Sequence, residues 1–234
     1  MLVQKAPMLK EKPRRAVARL TGASPDCTLG LLVRAQNPAT TADVLRRLAG
    51  CEEPSIRRAV AKNPNTPVDA ALQLAEDAPE SFIENPAVSL LVLEDPAFLQ
   101  CLSEKALRGV LNVEETPPAW LRWAASHEDA QMRRLTARHA HTPLEVLKRL
   151  ADDETPAVRA AAAGNDGLPV EEAAVLFGDP CPEVRAQVAA RPAIPYSFLR
   201  SLARDPAPKV RRRVAQNLDA SSNGSPRENE RLAS

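Results

Sequence analysis

Aromatic side chains are scarce: Phe, Trp and Tyr together make up 3% of the 234 residues. A core without them has to be assembled from Leu, Val and Ala, which suits helices packed closely together. Glycine is equally sparse, with 8 scattered residues. No GxSxG, phosphate-binding glycine loop or GxGxxG pattern occurs, so neither a catalytic centre nor a cofactor is expected. The four cysteines (Cys27, Cys51, Cys101 and Cys181) lie far apart without a CxxC pair. That spacing argues against a disulfide framework or a zinc site and fits a reducing, cytoplasmic compartment. No apolar run approaches the ~20 residues that a membrane helix needs. The N-terminal MLVQKAPMLKEKPRR is basic but lacks the apolar segment of a secretory signal.

Charge is close to balanced, at +1 overall, but unevenly placed. Residues 1–19 carry six Lys/Arg against one Glu, residues 82–131 three against eight, and residues 132–217 fourteen against ten. An acidic middle between basic ends presents different surfaces to different partners. Proline is abundant, with 22 residues, and recurs at fixed offsets from apolar runs where a disordered chain would scatter it.

That recurrence is a repeat. With Thr66 as anchor, equivalent positions fall at Thr40, Thr116, Thr142, Leu168 and Ile194, spaced by 26 except for a 50-residue gap from Thr66 to Thr116. The gap fits two units short of about two residues, with an irregular unit at 82–106. Each unit reads as two short helices. The first begins near Ile56, Met132, Val158, Val184 and Val210, each followed by an arginine: Arg57, Arg133, Arg159, Arg185 and Arg211. It stops at Asn63, Asn165 and Asn217, where asparagine tolerates a left-handed ending. The second helix opens at Thr142-Pro143-Leu144-Glu145, the pattern of a capping box, and is apolar at Val146, Leu147, Leu150 and Ala151. An acidic turn follows, holding Asp77, Asp153, Asp179 or Asp205. A lone pair of such helices cannot bury its apolar face, whereas stacked pairs share one continuous core.

The run VRxxVAxNPxTPxxxLxxLAxD resembles the leucine-rich repeat variant (LRV) repeats of bacterial proteins, over roughly residues 30–217. A wider kinship is with HEAT-type solenoids, which pair an aspartate in a turn with an arginine following a valine. Here those positions are Asp153/Arg159, Asp179/Arg185 and Asp205/Arg211. The period departs from the family's usual one of about 24 residues. Cys27 alone stands where some LRV proteins carry a cysteine-rich iron–sulfur segment, so no cluster is expected. The resemblance implies an all-α fold: an α-solenoid, a right-handed superhelix of about seven ~26-residue two-helix repeats plus a terminal half-repeat. Residues 1–15 are expected to be a basic disordered arm, 16–217 the repeat domain, and 218–234 a disordered tail.

Three groups of residues invite a functional reading. The arginine column is either an Asp–Arg ladder that ties each turn to the next helix or a track for phosphates, and the ladder accounts for more of it. Its additional basic neighbours, Arg58, Arg134, Arg212 and Arg213, are not explained by a ladder; they are partner-binding candidates or a solvated helix face. Trp120 falls in register with Val44 and Val146 and is expected in the core. Trp123 falls in register with Arg47, Gln73, Arg149 and Ser201, so it is either an exposed hot spot or packs over the irregular unit. His139 and His141 have no further metal ligands nearby, and His139 takes the helix-stop position filled elsewhere by asparagine. HEAT-like DNA glycosylases are a poor match with two Trp, Tyr196 and scattered charge. The expected function is a non-catalytic scaffold for a protein partner, one that bears an acidic segment, with a nucleic-acid-binding solenoid as the alternative and no membrane partner.

Overall fold

The computed structural model describes residues 25–192 and 194–223, and all regular structure among them is helical. The expected basic arm and most of the expected tail lie outside the described residues. By contacts the chain divides between Leu90 and Leu91 into two compact units. The first holds α1 (Pro25–Gln36), α2 (Ala42–Ala49), α3 (Pro54–Lys62), α4 (Val68–Leu74) and α5 (Pro79–Ile83), and α6 (Pro86–Glu94) crosses the division. The second continues with a 3₁₀ segment, Pro96–Cys101, then α7 (Glu104–Val110), α8 (Pro118–Ala124), α9 (Ala130–Arg138) and α10 (Leu144–Ala151). It ends with α11 (Pro156–Ala163), α12 (Val170–Ala173) with a 3₁₀ extension to Gly178, α13 (Pro182–Ala190), α14 (Tyr196–Leu202) and α15 (Pro208–Asn223). Odd-numbered helices are the first members of the repeats and even-numbered ones the second. Each unit is thus built as an α-solenoid, and the described residues carry seven two-helix repeats and a half-repeat. The last helix runs six residues past Asn217, where the repeat domain was expected to end.

First helices start two residues earlier than the apolar pattern implied, because Pro54, Pro156, Pro182 and Pro208 occupy their opening positions. Proline fits there since its missing N–H has no helical acceptor to lose. Within each unit, first helices pack side by side: α1 on α3 and α3 on α5, then α9, α11, α13 and α15 in succession. Leu45, Leu48, Ile56, Val60 and Leu74 fill the first core. Val146, Leu150 and Val158, and then Val184, Val188, Leu199, Leu202, Val210 and Val214, continue the second. Each fully buried Leu or Val contributes about 1.5–3 kcal/mol, set against the entropy of ordering the repeat.

Two local expectations are corrected. Asn63 is extended, at φ −72° and ψ 126°, not left-handed. Its amide instead reaches back one repeat and donates to Ala35 O at 2.8 Å and Asn37 O at 2.9 Å. Asn85, Asn165 and Asn217 repeat this pair of bonds. Nor does the threonine cap the second helix. Thr142 Oγ1 donates to Thr136 O at 2.6 Å, six residues back, and Thr40, Thr66 and Thr116 do the same. Pro143 is the residue flanking α10, which leaves Thr142 one position too early to cap. The supposed box acid Glu145 pairs with Arg122 of the preceding second helix at 3.0 Å, and Asp69, at the same repeat position, pairs with Arg46.

The irregular repeat has a simple basis. Asn85 follows Asn63 by 22 residues, not 26, and α5 has five residues where α3 has nine. The four lost residues are about one helical turn. The next stop position, Val113, follows by 28, so the net shortening is two.

Candidate functional site

The arginine column is an ion-pair ladder. Arg159 Nε and Nη2 grip both oxygens of Asp179 at 2.7 and 3.0 Å, and Arg185 grips Asp205 at 2.7 and 2.9 Å. Arg133 holds Asp153 at 2.7 and 3.1 Å, with Glu154 Oε1 and Thr155 Oγ1 as further acceptors. In the first unit, Arg57 approaches Asp77 more loosely, at 3.7 Å. The pairing register therefore differs from the expected one. Asp153 gives its carboxylate to Arg133 of the preceding repeat and only its main-chain oxygen, at 2.8 Å, to Arg159. Each arginine thus bridges two turns, its Nη1 on the carbonyls before it and its fork on the aspartate after it.

The aspartates are fastened a second time, since Asp153, Asp179 and Asp205 accept the N–H of Thr155, Cys181 and Ala207. Burial works against ionisation of Asp153 and Asp179, but the arginine fork, the turn N–H and the cationic charge outweigh it and hold both carboxyls below the ordinary range. For Asp205 the Arg185 fork is the leading cause of the same downward displacement.

A second ladder runs through the helix-stop positions. His139 Nε2 lies 2.7 Å from Val113 O, and its Nδ1 accepts the His141 N–H at 3.1 Å, so the ring reproduces one of the two carbonyl bonds of the asparagine amide and the N–H it accepts. His141 Nδ1 sits 2.9 Å from Glu114 O, which leaves both imidazoles occupied by the main chain. Arg191 fills the next such position. Its guanidinium donates to Ala163 O, Asn165 O and Leu168 O, while its buried Nε has no acceptor. Desolvation pushes its pKa down from the ordinary arginine value.

The candidate binding arginines are not assembled into a track. Arg58 is exposed on α3 in the first unit. Arg134 is half-buried on α9, its Nε without a partner. Arg212 and Arg213 are exposed on α15, and Arg213 lines a hollow of about 340 Å³ with Pro192, Gln216 and Asn217. Between Arg134 and Arg212, the same repeat position holds Ala160 and Ala186, so the basic column is interrupted.

Trp120 is buried, as expected. Trp123 is half-buried: its ring stands edge-on to His127 with centroids 5.6 Å apart. It lines a cleft of about 640 Å³ with Leu99, Leu102, Leu107 and Met132, where Glu104 and Glu128 bring carboxylates. Leu99 and Leu102 belong to the irregular 82–106 unit, so Trp123 shares a cleft with that unit and keeps part of its side chain exposed. Among the described cysteines, Cys51 is buried, Cys101 exposed and Cys181 half-buried, all as free thiols. No described helix is long and apolar enough to cross a membrane.

No protein-family model matches the chain. No curated protein matches it either. Among solved structures, the chain is similar to one presented as a leucine-rich repeat variant with a novel repetitive protein structural motif, at 21% identity, 86% coverage of this chain, 88% of that chain and a TM-score of 0.46.

Proposed function

We propose that this chain is a non-catalytic, cytoplasmic scaffold that docks a protein partner on its solenoid surface. One observation carries this reading. In the second unit the ladder arginines Arg133, Arg159 and Arg185 are taken up by aspartates inside the stack, while the exposed basic candidates are held by no ladder aspartate. Arg57, Arg133, Arg159 and Arg185 are engaged by aspartates and main-chain carbonyls. Within the second unit, Arg212 and Arg213 are exposed and Trp123 is half-buried, which leaves them available to a partner. A frame whose own arginines are neutralised, with an interrupted basic column beside it, supports recognition of a shaped surface over a uniform phosphate track.

The test pairs two measurements. Affinity capture from the source organism, followed by mass spectrometry, is expected to recover a protein whose yield falls with Arg58→Ala or with Arg212→Ala/Arg213→Ala. Random duplex DNA, titrated at low salt, is expected to bind weakly or not at all. Tight DNA binding that collapses steeply with added salt and requires Arg212 and Arg213 would replace the scaffold with the nucleic-acid alternative. Turnover of a small molecule by the purified chain would remove the non-catalytic half of the proposal.

A further inference from the structure

Ladder partners lie twenty residues apart, and acid and base come and go together. Arg57/Asp77, Arg133/Asp153, Arg159/Asp179 and Arg185/Asp205 keep both, while Leu31/Cys51 and Leu107/His127 have neither an arginine nor a carboxylate. Arg211 alone breaks the rule, because the residue twenty positions on is Arg231. Yet Arg211 is held as the interior arginines are. Its Nη1 donates to Asp205 O at 2.7 Å and Pro206 O at 2.9 Å. Arg185 Nη1 makes the same two bonds to Asp179 O and Pro180 O, at 2.7 and 3.2 Å.

In the interior rungs that grip aims Nε and Nη2 at a carboxylate. Arg211 is exposed, and no carboxylate among the described residues hydrogen-bonds its fork. Arg212 and Arg213 beside it are exposed as well. A guanidinium already anchored through Nη1 loses less freedom on binding, and its fork matches a carboxylate in two parallel bonds.

We propose that Arg211 is the open rung of the ladder and docks an aspartate or glutamate from an acidic segment of a partner protein. The carboxylate takes Nε and Nη2 as Asp205 takes those of Arg185, and Arg212 and Arg213 speed the encounter. This deepens the scaffold reading and rests on it. The chain's own residues 224–234 are a weaker occupant: Glu228 and Glu230 are offset by Arg227 and Arg231, so no net charge draws that segment to three arginines.

The probe is a labelled, C-terminally amidated peptide based on residues 153–158 with Glu154→Ala, Asp-Ala-Thr-Pro-Ala-Val, whose aspartate sits in a ladder turn and is its one side-chain carboxylate. Its anisotropy is followed against the full chain at low salt, beside the same peptide carrying Asp153→Asn. The aspartate peptide is expected to bind, and both its Asn form and the Arg211→Lys protein to bind about tenfold more weakly. The Asn peptide leaves the protein untouched, so its result does not depend on how the variant folds. Equal binding of both peptides, no effect of Arg211→Lys, or no saturation at millimolar peptide overturns the proposal. Binding seen only after removal of residues 224–234 gives the rung to the chain's own tail. Self-association of the wild type that disappears in Arg211→Lys gives it to a second copy, and either result also overturns a partner's acid. If Arg211→Lys still captures a cellular partner as well as the wild type, this proposal fails and the scaffold stands. If no protein is captured at all, it is the scaffold that fails.

Discussion

Arg159 and Asp179 meet with side chains only 14% and 4% exposed, so removing either one strands a charge where water cannot reach it. Arg159→Ala is expected to lower unfolding free energy by about 3–5 kcal/mol, read by urea denaturation. The double change Arg159→Leu/Asp179→His copies the rung Leu107/His127, which has neither arginine nor carboxylate, and its loss should fall well short of the sum of the two single changes. Strict additivity would mean that the pair is not coupled. The two columns were legible in the sequence, but their pairing was not. In a 26-residue period, Asp153 stands six residues before Arg159 and twenty after Arg133, so spacing alone offers both partners equally. Only the geometry of the fork decides. Arg191 poses the reverse case, a buried cation that faces carbonyls without a carboxylate in its grip. Arg191→Asn restores the donor used at Asn165 and Asn217 without a charge to desolvate, and should change stability by no more than about 1 kcal/mol. Arg191→Leu orphans buried carbonyls, and a loss of more than about 2 kcal/mol is expected in the same assay.

The ends of the helices show why local patterns mislead at the scale of the element. Thr142-Pro143-Leu144-Glu145 has the letters of a capping box, yet the helix opens at Leu144, one position later than that box requires. A hydroxyl both donates and accepts, so the threonine is free to serve the other helix, tying the last turn of α9 to the turn that follows. Thr142→Val should therefore cost about 1 kcal/mol, with Thr142→Ser recovering most of it. Hydrogen exchange locates the effect: protection should drop at the end of α9 and persist at the first amides of α10. The opposite pattern would reinstate the cap. Leu168 and Ile194 occupy the same position without a hydroxyl, which is why the expected cost is moderate. The shortened repeat was visible as a 50-residue interval between Thr66 and Thr116, but its division into a loss of four and a gain of two was not. That division rests on Asn85 reaching Ala61 O and Asn63 O, a long-range bond that no window of the sequence contains.

At the scale of the whole molecule, the two units differ in how their charges are tied. Among the described residues, the second holds three consecutive buried rungs, and the first holds one looser pair, Arg57–Asp77. Folding lowers the pKa of Asp153, Asp179 and Asp205, so they bind protons more weakly folded than unfolded. Their stabilisation is then fully present above the unfolded aspartate value of about 4 and is lost as pH falls through the lower, folded values. In a stack where each repeat contacts its neighbours, three such losses fall on one contiguous run of helices. Hydrogen exchange followed from pH 7 to pH 3 should show protection in α9–α15 falling more steeply than in α1–α5. A triple variant, Asp153→Asn/Asp179→Asn/Asp205→Asn, should be less stable at pH 7 and should lose this steepness. Salt separates the ladder from surface pairs. Glu183 is held at about 2 by its hydrogen bond to Lys209, but that pair is open to solvent and its contribution fades on addition of salt. The buried rungs are screened far less, so the acid-induced loss in α9–α15 should persist at about 0.5 M NaCl. If salt abolished it, the pH response would belong to surface pairs and not to the ladder.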